Sequence, residues 1–181
     1  MTLHPKLIDF FKKHNMYDEE MFKYITEQST MIDYDDPDQR CFVGCFYILD
    51  KNGKLTGLKL NLPYVNSEET MLISIHELTH GYENYQKIGK KFKKDITIEA
   101  LPLFYEKVYT LENSSERLQK YSEYLDKIIM EESEKQYQFG LKIREELLKQ
   151  YHNNPQETIR LIAKLGKKYH FEEWKNKMHH K

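Results

Sequence analysis

The strongest constraint on the fold is a change of pattern near residue 66. Before this point, two apolar or alternating segments, 41–49 and 55–62, are joined by Asp50-Lys51-Asn52-Gly53-Lys54, and Asn-Gly between such segments is a strong β-hairpin signal. Beyond it, apolar residues recur at helical spacing through most of the chain. The sequence therefore predicts an α+β fold. A small antiparallel sheet, the hairpin of residues 41–62, packs on a helix and is followed by a mostly helical C-terminal part.

Capping and stop signals divide the rest of the chain into helices. Two short helices open the chain, with Pro5 at the first position of one and Asp18 as the N-cap of the next. Asn66 and Glu69 form the predicted capping box of a third helix. The remaining predicted limits are a stop at Gly89 after residue 87, a helix over 97–111, one helix over 115–151 or two separated near 131–133, and a last helix from Asn154-Pro155 to Gly166.

The length and charge of the chain restrict its organisation and its partners. A chain of 181 residues suits one domain, and we expect a single domain over 1–181, with the sheet in 1–113 and a helical subdomain in 114–181. Lys and Arg (28) nearly balance Asp and Glu (29), so the formal net charge is −1. No overall basic field is therefore expected to attract nucleic acid or an anionic membrane. The sequence leaves the oligomeric state open.

The two cysteines and the amino terminus bear on the compartment. Cys41 and Cys45 lie four residues apart on a predicted strand, so both are expected on one face as small core residues rather than as a disulfide or a ligand pair. We recognise no signal peptide and no segment apolar enough to cross a membrane. These features predict a cytoplasmic protein.

The segment His76-Glu77-Leu78-Thr79-His80 carries the clearest chemical signal. Histidines at i and i+4 stand one above the other on a helix, so both imidazoles can bind one ion. Glu77 is then placed to take a proton from water at an open coordination position. An exposed helix that matches this pattern by accident is the alternative. The apolar residues on another side of the helix argue against it; they are Met71, Ile75, Leu78, Tyr82 and Tyr85.

Glu99 is the candidate for a third ligand. It lies in a largely apolar segment, residues 97–106, where a buried carboxylate needs a cation or hydrogen bonds. It could instead be a surface residue favoured by the dipole of the helix that starts there. Catalytic zinc takes three protein ligands and keeps one position for water, whereas structural zinc takes four. Neither cysteine is close to the histidines in sequence, so a closed, cysteine-rich site is not expected.

These residues resemble the metal site of the gluzincin metallopeptidases, in which a second helix supplies a glutamate as the third zinc ligand. Eighteen residues separate His80 from Glu99, which is the spacing in the aminopeptidase N family and is close to that in thermolysin. Within residues 55–106, the resemblance implies a zincin-like fold with Zn²⁺ bound by His76, His80 and Glu99. It also implies Glu77 as the general base of peptide hydrolysis.

The resemblance extends to the support of a zinc-bound histidine. Glu106, seven residues beyond Glu99, is similar to a second glutamate on that helix in several gluzincins. Leu103 stands where thermolysin has a carboxylate that holds a zinc histidine. That support must therefore come from another group, and we expect Glu106 or a backbone carbonyl to provide it.

The resemblance also suggests groups that would bind substrate. Related enzymes stabilise the oxyanion with a Tyr or His from a later segment, and Tyr137 resembles the late-helix tyrosine of the thimet and oligopeptidase F group. Core packing is the alternative for any of the 14 tyrosines, and the rivals of Tyr137 are Tyr151, His152 and His170. If 55–62 is an edge strand, as in gluzincins, then Leu58, Lys59 and Leu60 would contact the substrate backbone. A central strand is the alternative.

These expectations combine into one leading hypothesis and two others. The first is zinc-dependent hydrolysis of peptide bonds, with a peptide or a protein as substrate, and an aminopeptidase is not distinguished from an endopeptidase. The second is a catalytically inactive zincin-like module whose long helices over 115–168 dock a partner. An exposed apolar stripe on those helices would favour it. Zinc-dependent hydrolysis of an ester or an epoxide is the third.

Overall fold

The structure, a computed structural model, describes residues 2–93, 95–113, 115–132, 134–150 and 153–179, with the side chains of 132 and 170–179 outside the description. Within these ranges the chain forms eight helices and three strands, so the predicted combination of a small sheet with mostly helical structure is confirmed. In chain order they are α1 (Pro5–Lys13), α2 (Glu19–Gln28), β1 (Thr30–Ile32), α3 (Pro37–Arg40), β2 (Gly44–Leu49), β3 (Leu55–Pro63), α4 (Glu68–Tyr85), α5 (Ala100–Asn113), α6 (Glu116–Glu132), α7 (Lys135–Leu148) and α8 (Pro155–His179).

The sheet has the strand order β1-β3-β2, so β3 is its central strand. β2 and β3 form the predicted antiparallel hairpin, and Gly53 in its turn has a φ of 73°, which favours glycine. β1 instead pairs with β3 in parallel, with Thr30 opposite Asn61. The expectation of a purely antiparallel sheet is therefore wrong. A strand of three residues is too short to show the alternation by which strands are recognised in a sequence.

The N-terminus of α4 is capped one residue later than predicted. Ser67 is the N-cap, because its hydroxyl accepts a hydrogen bond from the Thr70 amide at 3.2 Å while the Thr70 hydroxyl accepts one from the Ser67 amide at 3.1 Å. The box predicted from Asn66 and Glu69 is thus displaced by one residue. The cap predicted for α2 is confirmed, since the Asp18 carboxylate accepts from the Met21 amide at 2.7 Å.

The C-terminal helices follow the predicted order, with one correction. α6 and α7 are separate helices, and α8 begins at Pro155 as predicted. However, α8 continues to His179, so Gly166 does not end it. A Cβ at Gly166 would lie 2.5 Å from Cγ2 of Thr97, so this glycine permits close packing of α8 against the segment before α5.

The hydrophobic core fixes the position and rotation of α4. α4 packs against both β3 and α5, and α5 packs against α7. The face of α4 toward the sheet is apolar, and Leu58, Leu60 and Leu62 of β3 are almost completely buried against the core. Gly81 lets the strand approach, because a Cβ there would lie 3.3 Å from a methyl group of Leu60. α4 is therefore held at a fixed rotation, which leaves another of its faces toward α5.

The positions of the two cysteines differ from those predicted. Cys41 is exposed at the C-terminal cap of α3, and Cys45 is half-buried in β2. The prediction that both pack on one face of a strand is wrong for Cys41, because the strand begins only at Gly44. Both are free thiols. Among the described helices, none has the length and apolar character needed to cross a membrane.

Candidate metal centre

His76 and His80 occupy successive turns of α4. Only 8% and 6% of their respective surfaces are exposed. Their ring centroids are 4.9 Å apart, with the ring planes steeply inclined to each other. The spacing of four residues has thus brought both imidazoles together inside the protein, and the alternative that places them on an exposed helix surface is wrong.

Glu99 approaches the histidines from the turn that leads into α5. This helix begins at Ala100, three residues later than predicted, and the Glu99 carbonyl accepts from the Leu103 amide at 3.1 Å. Glu99 is 5% exposed, so the alternative of a surface residue is wrong. α7 packs directly against it, because a Cβ on Gly140 would lie 3.1 Å from the Glu99 carbonyl carbon and 3.2 Å from its Cβ.

The three side chains form a triangle of possible ligand atoms. Nε2 of His76 lies 3.1 Å from Oε2 of Glu99, Nε2 of His80 lies 3.2 Å from the same oxygen, and the two nitrogens are 3.2 Å apart. A tetrahedral ion about 2.0–2.2 Å from each ligand would hold such atoms roughly 3.3–3.6 Å apart. The triangle therefore fits a small ion after an expansion of a few tenths of an ångström. His76, His80 and Glu99 are a buried group that could bind a metal ion.

The second ring nitrogen of each histidine has a different environment. Nδ1 of His76 lies 3.1 Å from Oε1 of Glu106, and a proton on Nδ1 donated to this carboxylate leaves the Nε2 lone pair directed at the triangle. The expectation that Glu106 supports a histidine here is confirmed by this contact. Nδ1 of His80 is buried and has no hydrogen-bond partner among the described residues.

The charges around the triangle favour a cation. Burial by itself lowers the pKa of His76, but the neighbouring carboxylates of Glu106, Glu99 and Glu77 raise it well above its ordinary value. Burial by itself raises the pKa of Glu99, but hydrogen bonds and charge from the two histidines lower it below its usual range. A metal ion that replaces the proton on His76 would therefore release that proton as it binds.

A cavity of about 300 Å³ opens beside the triangle. His76 and Glu77 line one side of it, and Glu106 and Tyr137 also reach it. Glu77 is half-buried, in contrast to the buried histidines on either side of it in the motif. Burial raises the pKa of Tyr137, and the carboxylates of Glu99 and Glu77 raise it further. The structure thus brings the predicted general base and the predicted oxyanion residue to one cavity next to the ligand atoms.

The remaining wall of this cavity was not predicted. Tyr34 follows β1, Ile73 and Leu103 belong to α4 and α5, and α6 contributes Tyr121 together with three aliphatic residues. These aliphatic residues are Leu125, Ile128 and Ile129. No sequence pattern identified them as site residues, because an apolar helix face predicts that the helix packs but does not indicate which part of the protein it packs against.

The strand residues expected to contact substrate do not line the cavity. Leu58 and Leu60 are completely buried, and Lys59 is exposed opposite Phe46 of β2. Because β3 is central, the condition for substrate pairing on it is not met, and the edge-strand interpretation of 55–62 is wrong. β2 is the edge strand of this hairpin. The thiol of Cys45 on β2 has its pKa raised by burial and by the nearby charge of Glu77, so β2 runs close to the centre.

The three rivals of Tyr137 for the oxyanion role lie outside the described part of the structure. They are Tyr151, His152 and the side chain of His170. Among the residues that are described, His76, His80 and Glu99 converge, and Glu77 and Tyr137 share the adjoining cavity. Leu58, Lys59 and Leu60 belong to the central strand and do not line that cavity. Comparisons of the chain with protein-family models, with curated protein sequences and with solved structures give no match.

Proposed function

We propose that this protein is a zinc-dependent peptidase of gluzincin type, with His76, His80 and Glu99 as the zinc ligands. The observation that carries the proposal is the convergence of two histidine nitrogens and one carboxylate oxygen, 3.1–3.2 Å apart, beside a cavity that Glu77 lines. Two histidines and one carboxylate are a ligand set typical of catalytic zinc in peptidases. The resemblance of the sequence to gluzincins supports the same conclusion independently of the cavity.

Glu77 is the general base in this proposal. A bound zinc ion would supply a Lewis acid that polarises the peptide carbonyl and lowers the pKa of a water molecule. The Glu77 carboxylate takes a proton from the attacking water as the new carbon–oxygen bond forms. It then gives this proton to the leaving nitrogen as the carbon–nitrogen bond breaks, which yields a carboxylic acid and an amine. Because Glu77 is half-buried at the cavity, substrate can reach it while the ligands stay enclosed.

Tyr137 is the proposed donor to the oxyanion. The carbonyl oxygen gains negative charge as water adds, and a hydroxyl donor in a cavity shielded from solvent stabilises that charge most effectively. Burial and the carboxylates around Tyr137 raise its pKa, so its hydroxyl keeps the proton that it must donate. Its presence in the lining of the cavity that Glu77 also lines supports this role.

β2 replaces β3 as the proposed strand that aligns an extended substrate. In gluzincins, an edge strand beside the metal helix pairs with the substrate main chain, a form of β-augmentation. β2 is such an edge strand, and Cys45 and Tyr47 on it are near enough to Glu77 and Glu99 for those charges to raise their pKa values in addition to burial. A peptide bound along β2 would thus lie beside α4, the helix that carries His76 and His80, because β2 packs on α4.

The alternative of an inactive interaction module draws less support from the helices. An apolar stripe on the described part of α6–α8 would favour it, and α6 does expose Tyr124 (60%) and Met130 (50%). These positions are six residues apart, which separates them by roughly 120° around a helix, so they do not form one stripe. The aliphatic residues of α6 that do share a face line the cavity instead.

The test measures zinc and hydrolysis in the same set of variants. Zinc content is measured by mass spectrometry after zinc loading and buffer exchange, and hydrolysis is measured with a broad library of quenched peptides. Wild type should hold about one zinc ion per chain and cleave part of the library. Glu77→Gln should keep the zinc and lose hydrolysis by about 10²–10⁴-fold, because proton transfer contributes about that much. His76→Ala should lose both.

The control is Glu123→Gln, which makes the same change at an exposed position of α6 and should alter neither property. Wild type that holds no zinc would overturn the metal assignment. Zinc-loaded wild type that cleaves no peptide in the library would overturn the peptidase assignment and leave the metal assignment standing.

A further inference from the structure

We infer that the cavity beside Glu77 is a specificity pocket for a bulky apolar side chain next to the scissile bond, and that α6 forms its selective wall. The inference rests on the proposed function, since it names the class of substrate that the same site would accept. It is carried by the lining of the cavity and by the attachment of α6, neither of which enters the metal assignment.

Three helices contribute aliphatic side chains to the lining. Ile73 of α4, Leu103 of α5 and three residues of α6, Leu125, Ile128 and Ile129, face a space of about 300 Å³. This volume is at the lower end of the range for small-ligand sites, so it suits one side chain rather than a large ligand. Transfer of an apolar side chain from water into such a space is favourable by roughly 25 cal/mol for each Å² buried.

The α6 residues retain surface that a ligand can cover. Tyr121, Leu125, Ile128 and Ile129 are spaced as i, i+4, i+7 and i+8, which places them on one face of the helix. In a filled core such a stripe would be completely buried, as Leu118 of the same helix is. All four are instead half-buried and line the cavity. The stripe therefore presents apolar surface to the space in front of Glu77.

Polar contacts hold this wall in place. At the start of α6, the Ser115 hydroxyl donates to Glu68 of α4 at 3.0 Å, and the Tyr121 hydroxyl donates to Glu69 of α4 at 3.1 Å. Farther along, Arg144 of α7 forms a two-pronged ion pair with Asp126 at 2.7 and 2.8 Å. A wall fixed before substrate arrives needs little ordering on binding, which favours selectivity.

The charges in the cavity do not favour another class of side chain. Its described lining contains no lysine or arginine, so an acidic side chain would find no cationic partner. Its two carboxylates, Glu77 and Glu106, have other roles, because Glu77 is the proposed base and Glu106 lies 3.1 Å from His76. A basic side chain would have to pass the aliphatic wall and compete for one of them.

The experiment combines substrates with wall variants. Zinc-loaded wild type is assayed with quenched peptides that differ only at the two positions flanking the scissile bond, where each carries Leu, Phe, Ala, Lys or Asp. We expect kcat/KM for Leu or Phe at one flanking position to exceed that for Ala by at least about tenfold, as for differences in apolar pocket filling. Ile129→Ala should shift the preference toward the larger side chain, and Ile128→Phe should shift it toward Ala. Tyr124→Ala shortens a 60% exposed side chain of the same helix and should leave the preference unchanged.

A binding measurement separates this inference from the proposed function. Calorimetry compares zinc-chelating hydroxamates that carry an isobutyl or a methyl group, and wild type should bind the isobutyl compound at least about tenfold more tightly. Hydrolysis with no apolar preference, or with a preference for Lys or Asp, would overturn the pocket and leave the peptidase proposal intact. Tighter isobutyl binding without any hydrolysis would support the pocket and overturn the peptidase proposal. Equal binding of the two compounds without hydrolysis would overturn both.

Discussion

The candidate metal centre and the α6 wall are adjacent, but different interactions hold them together. The centre consists of polar side chains from α4 and from the start of α5, and 3.1–3.2 Å contacts join its members to one another and to Glu106. The wall consists of half-buried aliphatic side chains on a helix that follows much later in the chain. The centre follows from the spacing of residues close together in the sequence and from their burial. The wall depends on how α6 packs against α4, α5 and α7.

Under the proposed function, reactivity and selectivity would therefore depend on separate parts of this molecule. A change in the triangle should abolish metal binding whatever the wall does. A change in the wall should alter which side chain fits without affecting the metal. Mutations that violate this separation would show that the two regions are coupled through α4 or α5, since both helices line the cavity in front of the α6 wall.

The largest effect is expected for Glu99→Ala, which removes one corner of the triangle. Zinc at about 1,000 times its dissociation constant should stabilise wild type by roughly 4 kcal/mol and raise its melting temperature by roughly 10 °C. The variant should lose this zinc-dependent shift, because two histidines alone make a much weaker site. Differential scanning calorimetry with and without zinc measures this shift in melting temperature. Ile129→Ala, a wall variant, should keep the full shift, and its loss there would refute the separation.

Gly140→Ala should produce the next largest effect. The new Cβ would lie 2.8 Å from Cδ1 of Leu103 and 3.1 Å from the Glu99 carbonyl carbon, so Glu99 must move. Overpacking of this kind costs about 1–3 kcal/mol, which outweighs the 0.5–1 kcal/mol that alanine gains over glycine within a helix. We expect a lower free energy of unfolding in urea and weaker zinc binding.

The matched control for Gly140→Ala is Gly166→Ala on α8. Its Cβ would contact only the side chain of Thr97, which can rotate away. Zinc affinity should therefore change much less in this variant. Equal losses of zinc affinity in the two variants would mean that the close approach of α7 to Glu99 has no special part in positioning the ligand.

Glu106→Gln should have a moderate effect on the centre alone. Its amide oxygen can still accept from Nδ1 of His76, but the negative charge that favours a positively polarised ring is lost. Loss of such a supporting group typically weakens metal binding by about 10–100-fold, and the conservative amide should lie near the lower limit. Competition with a fluorescent zinc chelator measures the affinity. Unchanged affinity would show that the 3.1 Å contact does not support the ligand.

The sequence predicted the centre better than the wall for a physical reason. Histidines spaced like His76 and His80 lie on the same face of a helix, and a carboxylate buried like that of Glu99 requires a cation or hydrogen bonds. All three residues could therefore be identified from short stretches of sequence. The hairpin could also be predicted from neighbouring residues alone, because Asn-Gly favours the tight turn that joins its strands. β1 is only three residues long, and it alone makes β3 central. Without β1, the chain offered no sign that β3 is a central strand rather than an edge strand.

The wall depends on contacts between residues far apart in sequence. The position of α6 is fixed by Glu68, Glu69 and Arg144, and no periodicity within α6 shows which elements these residues belong to. The error at Gly166 has a similar origin. Glycine ends many helices, but here it makes room for Thr97, and only the packed structure distinguishes these two uses.

Tyr121→Phe should have the smallest effect and tests the wall by itself. The substitution keeps the ring at the cavity and removes the hydroxyl that donates to Glu69 at 3.1 Å. A hydrogen bond to a charged acceptor contributes about 1.5–3 kcal/mol, and the loss here should not exceed the lower limit because Glu69 keeps contact with solvent and with nearby Tyr34. The free energy of unfolding in urea should fall by no more than about that amount, while zinc affinity stays the same. Since only α6 is loosened, selectivity between Leu and Ala peptides should decrease even though the centre is unaltered. If zinc affinity falls together with stability, α6 helps to hold the triangle closed, and the two regions act as one.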